Sequence, residues 1–202
     1  MAINKNSSLG TVVFSIIMVV LVGASLAFTS LSLKERQNNN AADKKMVDIL
    51  ASIQVNSSRE TAKTDFQDYV IERRIIKYSG EAPDSLRKTG EIKPGDKNDA
   101  FNIDVKKSYR ANKPIKGDTT WANAKDLNFP LFICEKEGDT IFVFPVVGSG
   151  LWGPIWGYVA LKNDQKTIYG VKFDHKTETP GLGAEIREKE FSNKFNAKDD
   201  IK

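Results

Sequence analysis

The sequence predicts an α+β protein: an N-terminal transmembrane helix, then one domain with an antiparallel sheet and flanking helices. Three observations point there. Residues 11–33 ("TVVFSIIMVVLVGASLAFTSLSL") form an uncharged run long enough to cross a bilayer. Residues 131–174 hold four short segments rich in β-branched and aromatic residues, separated by turns. The segments "SSRETAKTDFQDYVIER" and "AEIREKEFSNKF", before and after these strands, space their apolar residues as helices do.

Taken in order, residues 1–10 are a short tail and 11–33 the transmembrane helix. A cleaved signal would carry an apolar region of only about 7–15 residues, so a retained anchor is expected. Residues 34–57 read as a helical linker with Met46, Ile49, Leu50 and Ile53 at helical spacing, and Asn38–Asn40 as a break. The domain occupies 58–202. It opens on a helix with Ser58 and Thr61 near its cap and Phe66, Tyr69 and Val70 on one side. "RRIIKYSGE" is a short strand running into a turn, and residues 82–95 are a loop. "AFNIDVKKSYR" alternates apolar with polar and reads as a strand; residues 113–128 are turn-rich. "LFICEK" and "TIFVFPVVG" pair across "EGD", and "WGYVALK" and "TIYGVKFD" across "NDQ". The helices are expected on one side of the sheet. The chain stops at "NAKDDIK", where "DIK" resembles the start of another element: either the tail is disordered or the sequence continues past Lys202.

Composition narrows the function. The net charge of +4 comes from 30 basic and 26 acidic residues, and no dense basic cluster is interleaved with aromatics, so nucleic acid is not an expected partner. One histidine, His175, and one cysteine, Cys134, exclude the usual His/Cys zinc sites, and no metal site is expected. Cys134 alternates within "PLFICEK" as a buried thiol would. His175, beside Asp174, reads as a structural hydrogen-bonding group that holds a strand end.

The segments that suggest chemistry are "VGSGLWGPIWG" and "TETPGLG", both at strand ends. Glycine lets a ligand lie directly on backbone. Pro180 fixes one approach angle and keeps Thr179 extended. A helix starting after Gly183 would aim free N–H groups at the loop. Trp152 and Trp156 offer flat apolar surface, as packing residues or as ring-stackers, and Glu178 is a solvated carboxylate or an acceptor for a ring N–H. Together these groups suit a flat, partly polar ring with a phosphate tail, although each glycine segment alone is also compatible with a plain tight turn.

The N-terminal anchor, then "AFNIDVKKSYR", "GSGLWGPIWGYVAL" and "HKTETPGLGAEI" in that order, resembles the C subunit of the sodium-translocating NADH:quinone reductase over essentially the whole chain. The related G subunit of the Rnf electron-transport complex shares an "ETPGLG"-type segment, but the longer tryptophan-containing stretch resembles the reductase subunit more. The resemblance implies a single-pass bacterial inner-membrane protein whose FMN-binding domain lies on the periplasmic side. It implies a one-electron carrier between an iron–sulfur centre and the flavin of the B subunit, in a complex that oxidises NADH, reduces ubiquinone and exports sodium. The other subunits, especially B, D and E, would be its partners. The implied FMN contacts are Gly150, Leu151, Trp152, Glu178, Thr179, Gly181, Leu182 and Gly183; none is a proton-transfer catalyst, and the cofactor does the chemistry. The family fastens FMN to a threonine in a Ser-Gly-Ala-Thr segment, which these 202 residues do not contain. Lys34, Arg36, Lys44 and Lys45 after the span outnumber Lys5 before it and favour a cytoplasmic domain. The family favours the periplasm, and large domains translocate largely regardless of local charge. The alternatives are an Rnf-type electron-transport subunit, coupled to ferredoxin and NAD, or a cofactor-free membrane-anchored scaffold.

Overall fold

The computed structural model describes residues 8–112 and 127–195. The first seven residues of the expected tail and most of the turn-rich stretch at 113–128 lie outside these. The chain divides into an N-terminal unit, up to Ala42, and a compact unit from Asp43 onward.

The N-terminal unit is the greater part of helix α1, Ser8–Ser52. At about 1.5 Å per residue its uncharged run at 11–33 is about 35 Å long, enough to cross a bilayer. The side chains of its apolar stretch are exposed, from Val12 through Leu33. Its hydroxyls bond back onto the helix: Ser15 to the Thr11 carbonyl, Ser25 to Leu21 and Thr29 to Ser25. That arrangement suits hydrocarbon, where every polar group must find its partner inside the segment. The helix fits a single-pass membrane anchor. The break expected at Asn38–Asn40 does not occur, and α1 runs through it. Asparagine costs only about 0.7 kcal/mol in a helix, and neither Pro nor Gly stands nearby to end it.

In the compact unit the last turns of α1 bury Met46, Ile49 and Leu50, with Ile53 just beyond the helix. These are the residues that helical spacing singles out. Helix α2 (Ala62–Tyr69) follows, then β1 (Val70–Lys77) and the two-residue β2 (Arg87–Lys88). Val70 begins the strand instead of completing the helix, as its extended ψ of 93° shows. Residues 100–112 are not a strand. They form a 3-10 turn at Ala100–Asn102 and helix α3 at Val105–Asn112. Two carboxylates decide this: Asp99 accepts the Phe101 N–H at 2.9 Å, and Asp104 accepts the Lys107 N–H at 3.0 Å. Such capping outweighs a short alternation of apolar residues.

Strands β3 (Asn128–Lys136), β4 (Asp139–Ser149), β5 (Pro154–Leu161) and β6 (Ile168–His175) complete an antiparallel sheet in the order β2-β1-β3-β4-β5-β6. The β3–β4 turn is two residues long, and Glu137 and Gly138 both have positive φ (55° and 85°), the tight hairpin that matches strand twist. Phe132 pairs with Val143 and Val143 with Ala160, so these share a face with Cys134, Ile141 and Tyr158. On that face Phe66 meets Phe101 and Phe132 edge-on, with ring centres 5.5 and 6.4 Å apart. Burial pushes the Cys134 thiol up to about 12, which makes it an inert core group, as its alternation suggests.

Helical elements cover both faces instead of one. Asp174 of β6 meets Lys44 of α1, while Phe173, pointing the other way, meets Phe191 and Phe195 at ring-centre distances of 6.0 Å. The expected C-terminal helix is divided into a 3-10 turn (Gly183–Arg187) and helix α4 (Lys189–Asn193), because Glu188 between them is extended.

An ion pair lies inside this core. The Arg73 guanidinium donates to both carboxylate oxygens of Asp99 (2.9 and 2.8 Å) and to the Gly90 carbonyl (2.8 Å), and both side chains are almost fully buried. It fastens the long excursion between β1 and α3 onto the sheet. Removing one partner leaves the other charged and buried. Arg73→Met should therefore lower unfolding free energy by about 3–5 kcal/mol, and Arg73→Met with Asp99→Leu should recover part of that loss, as read by denaturant titration of the full chain in detergent.

Candidate functional site

The two glycine-rich segments meet at one end of the sheet. Residues 150–153 are the turn between β4 and β5, closed by Gly150 N–H donating to the Gly153 carbonyl at 2.7 Å. The residues after β6 fold back over this turn. Thr177 Oγ1 donates to the Trp152 carbonyl at 2.6 Å, and Trp152 N–H donates to Glu178 Oε1 at 3.0 Å. Both backbone polar groups of Trp152 are thus held by neighbours in the second segment, 25 and 26 residues away. Its backbone is fixed and its ring is left two-thirds exposed.

Three of the glycines lie against side chains of the second segment. A Cβ on Gly183 would lie 2.8 Å from Glu178 Oε2 and 3.2 Å from Glu178 Cβ. A Cβ on Gly150 would collide with Glu178 Oε1 and lie 3.0 Å from the Gly153 carbonyl oxygen. One on Gly153 would collide with Thr177 Oγ1. The space beside these glycines holds the side chains that brace the loops. Gly181 differs: its φ of +77° requires glycine, and nothing lies within 4 Å of where a Cβ would stand. The space on the Cβ side of Gly181 is open.

The remaining expected contacts are distributed as follows. Leu151, Trp152 and Leu182 are exposed large apolar residues, the first two on the β4–β5 turn and the third beyond β6. Thr179 uses its carbonyl to accept from Leu182 N–H (3.2 Å) and Ala184 N–H (3.1 Å), which closes the turn. The helix N-terminus expected after Gly183 is instead the 3-10 turn, with the Ala184 N–H already taken and the Gly181 N–H donated to Glu185 at 2.9 Å. Trp156 is partly buried with Lys106 Nζ 3.9 Å from its ring centre, so it packs within the fold. Glu178 is partly buried and braces the loops, its Oε1 accepting the Trp152 N–H.

Sequence reasoning missed the basic side of the site. A cleft of about 440 Å³ is lined by residues 147–154 and by Lys106, Tyr109 and Arg110 of α3. Lys106 and Arg110 are four apart, which places both on one face of a helix. That signal is present in "KKSYR", but the alternation just before it suggested a strand. Thr177 was also missed, although it lies within "TETPGLG".

Behind the loops lies a charged pair of contacts. Lys44 Nζ reaches Asp48 at 2.7 Å and Asp174 at 2.8 Å. Burial works to lower the Lys44 pKa, yet hydrogen bonds to Asp174 and Asp48 hold it above the ordinary lysine range. Burial also opposes ionisation of Asp174, but the Lys44 and His175 N–H bonds hold its carboxyl below the usual range. Burial dominates at Asp48 and raises it. Among the described residues no cluster of three His, Cys, Asp or Glu is placed to hold a metal.

The exposed Leu151 and Trp152 line a cleft that also holds two cations, a surface that fits a flat cofactor bearing an anionic tail. The FMN-binding domain family matches residues 150–202, which begin at the braced turn. The C subunit of the Na(+)-translocating NADH-quinone reductase of Vibrio anguillarum is 30% identical over 202 residues, covering 96% of this chain and 74% of that protein. The C subunit from Chlamydia pneumoniae is 48% identical over 56 residues, 28% of this chain but 18% of that relative's length. The crystal structure of the C subunit from Parabacteroides distasonis superposes with a TM-score of 0.64 at 33% identity, covering 83% of this chain and 70% of that one. The chain belongs to the family formed by the C subunits of the Na(+)-translocating NADH-quinone reductases.

The residues present fit a flavin nucleotide. Trp152, Leu151 and Leu182 supply exposed apolar surface, Gly181 leaves backbone uncovered, and Lys106 and Arg110 supply charge opposite to a phosphate. Gly181→Ala should cost about 1–2 kcal/mol through its left-handed backbone alone, read as a loss of unfolding free energy in denaturant. Glu178→Ala should lose a charged hydrogen bond and free the Trp152 amide, while Glu178→Gln keeps an acceptor; amide exchange at Trp152 should speed up at least about tenfold in the first and little in the second.

Proposed function

We propose that this chain is a membrane-anchored, FMN-carrying electron-transfer subunit of a complex that oxidises NADH, reduces ubiquinone and exports sodium. The observation that carries this reading is the overlap of the FMN-binding match with the two braced segments. Bound FMN would supply one-electron chemistry that no side chain here provides.

The chain's own residues do three things for that cofactor. Glu178 and Thr177 hold Trp152 by its backbone, so its ring can meet a flat ligand with little ordering cost. Leu151 and Leu182 shield that ligand's apolar edges from water. Lys106 and Arg110 offset the charge of a phosphate in the adjoining cleft. The proposed contacts remain Gly150, Leu151, Trp152, Glu178, Thr179, Gly181, Leu182 and Gly183, with Gly150, Glu178 and Gly183 acting by shaping the loops.

The finer assignments rest on the family resemblance. Electrons arrive from an iron–sulfur centre and leave to the flavin of the B subunit; B, D and E are the neighbours; the sheet domain stands on the periplasmic side of the inner membrane. The named relatives, each the C subunit of the reductase, favour this over an Rnf-type assignment. Flavin held by these 202 residues alone is held through contacts; a covalent bond to a threonine, as in the family, needs a Ser-Gly-Ala-Thr segment besides them.

The test is flavin content after purification of the native-length protein, co-expressed with its flavinylating enzyme. About one FMN per chain is expected, fluorescent in a gel after denaturation, and a colourless protein contradicts the reading. Trp152→Ala and Leu182→Ala should each weaken noncovalent FMN binding by these 202 residues about tenfold, or about 1.4 kcal/mol, without altering the fold.

A further inference from the structure

The only histidine of the chain stands in a continuous line of polar contacts running from α1 to the β4–β5 turn. Lys44 Nζ is 2.8 Å from Asp174 Oδ2. The other oxygen of Asp174 accepts the His175 backbone N–H at 2.8 Å. His175 Nδ1 then accepts the Glu178 N–H at 3.2 Å, and Glu178 Oε1 accepts the Trp152 N–H. Each link carries the position of one element to the next.

The imidazole link allows one protonation state. A ring nitrogen that accepts an N–H bond must present its lone pair, so Nδ1 carries no proton and the neutral ring holds its hydrogen on Nε2. Nε2 is buried with no partner among the described side chains and backbone, so it offers no competing bond that would turn the ring. Protonation of Nδ1 would set two N–H groups against each other and open the link to Glu178.

We propose that His175 is a positioning residue for the flavin loop, resting on the FMN reading above. Its neutral, Nε2-protonated ring holds Glu178, and through Glu178 the backbone of Trp152, in register with the end of β6. The loop is held over the neutral ring by this one acceptor.

Because there is one histidine, selective ¹⁵N labelling of the full chain in nanodiscs gives one ring to observe. Long-range ¹H–¹⁵N spectra should show the Nε2–H tautomer at about pH 8. The Glu178 amide, corrected for intrinsic exchange, should be protected in that state. His175→Asn places an amide oxygen near the Nδ1 position and should keep that protection at every pH. His175→Leu should lose it at every pH while β3 and β4 amides stay protected, which shows that the fold is intact. An Nδ1–H tautomer at that pH, or unchanged Glu178 protection in His175→Leu, overturns the proposal. Flavin content read on the same samples separates the two claims. A chain co-expressed with its flavinylating enzyme that lacks flavin but keeps this exchange pattern upholds the role of His175 in the loop and refutes the cofactor reading. A flavin-loaded chain with histidine-independent protection does the reverse.

Discussion

One carboxylate holds the functional end of this molecule together. Glu178 accepts the Trp152 N–H and fills the space beside both Gly150 and Gly183, joining two segments that are separated by the whole β5–β6 hairpin. Both segments are exposed loops with few buried apolar groups of their own. Without a polar tie between them, their relative position would be set only by the strand ends. A charged acceptor on a backbone N–H is among the stronger single contacts available to such loops. Thr177 adds a second tie to the same residue, so the two bonds fix Trp152 at both its amide and its carbonyl.

The rest of the fold supplies a rigid base for that tie. The six strands are built around Phe66, Phe132 and Tyr158, and the buried Arg73–Asp99 pair pins the excursion that leads to α3. That excursion matters because α3 brings Lys106 and Arg110 to the cleft beside the β4–β5 turn. Lys44, in the part of α1 that belongs to the compact unit, fixes Asp174 at the end of β6, one residue before His175. Gly157, in the middle of β5, lets the Phe173 ring lie against the sheet, where Phe191 and Phe195 cover it. Core packing and site geometry therefore share residues at β6.

Much of this was legible in the residues. The four strands from 128 to 175 follow from runs of β-branched and aromatic side chains between turns, and the apolar run of α1 from its length. The buried Cys134 followed from simple alternation. Other features were not legible, for physical reasons. Residues 100–105 alternate like a strand, but Asp99 and Asp104 cap helical turns there, and a cap is decided by local hydrogen bonds that alternation does not report. Asn38–Asn40 resembles a break only by composition, and a helix continues through weak formers when nothing in them forbids it. The glycines at 150 and 183 suggested room for a ligand. The structure places a glutamate in that room, and no rule of spacing reveals which side chain from a distant segment will fill a glycine's missing Cβ. His175 was legible as a strand-end residue, while its partner, the Glu178 amide, depended on how the loop turns back.

The central claim is that Glu178 and the glycine at 183 are matched to each other. A double-mutant cycle in the full chain tests it most directly, with stability measured for Gly183→Ala, Glu178→Ala and the pair. The new Cβ should push the carboxylate off Trp152 when Glu178 is present, and meet only the retained Cβ of residue 178, 3.2 Å away, in Glu178→Ala. A coupling of about 1–2 kcal/mol is expected, with Gly183→Ala less costly in the Glu178→Ala background than in the parent chain. Additive losses within about 0.3 kcal/mol would contradict the account and return Gly183 to the role of plain backbone freedom.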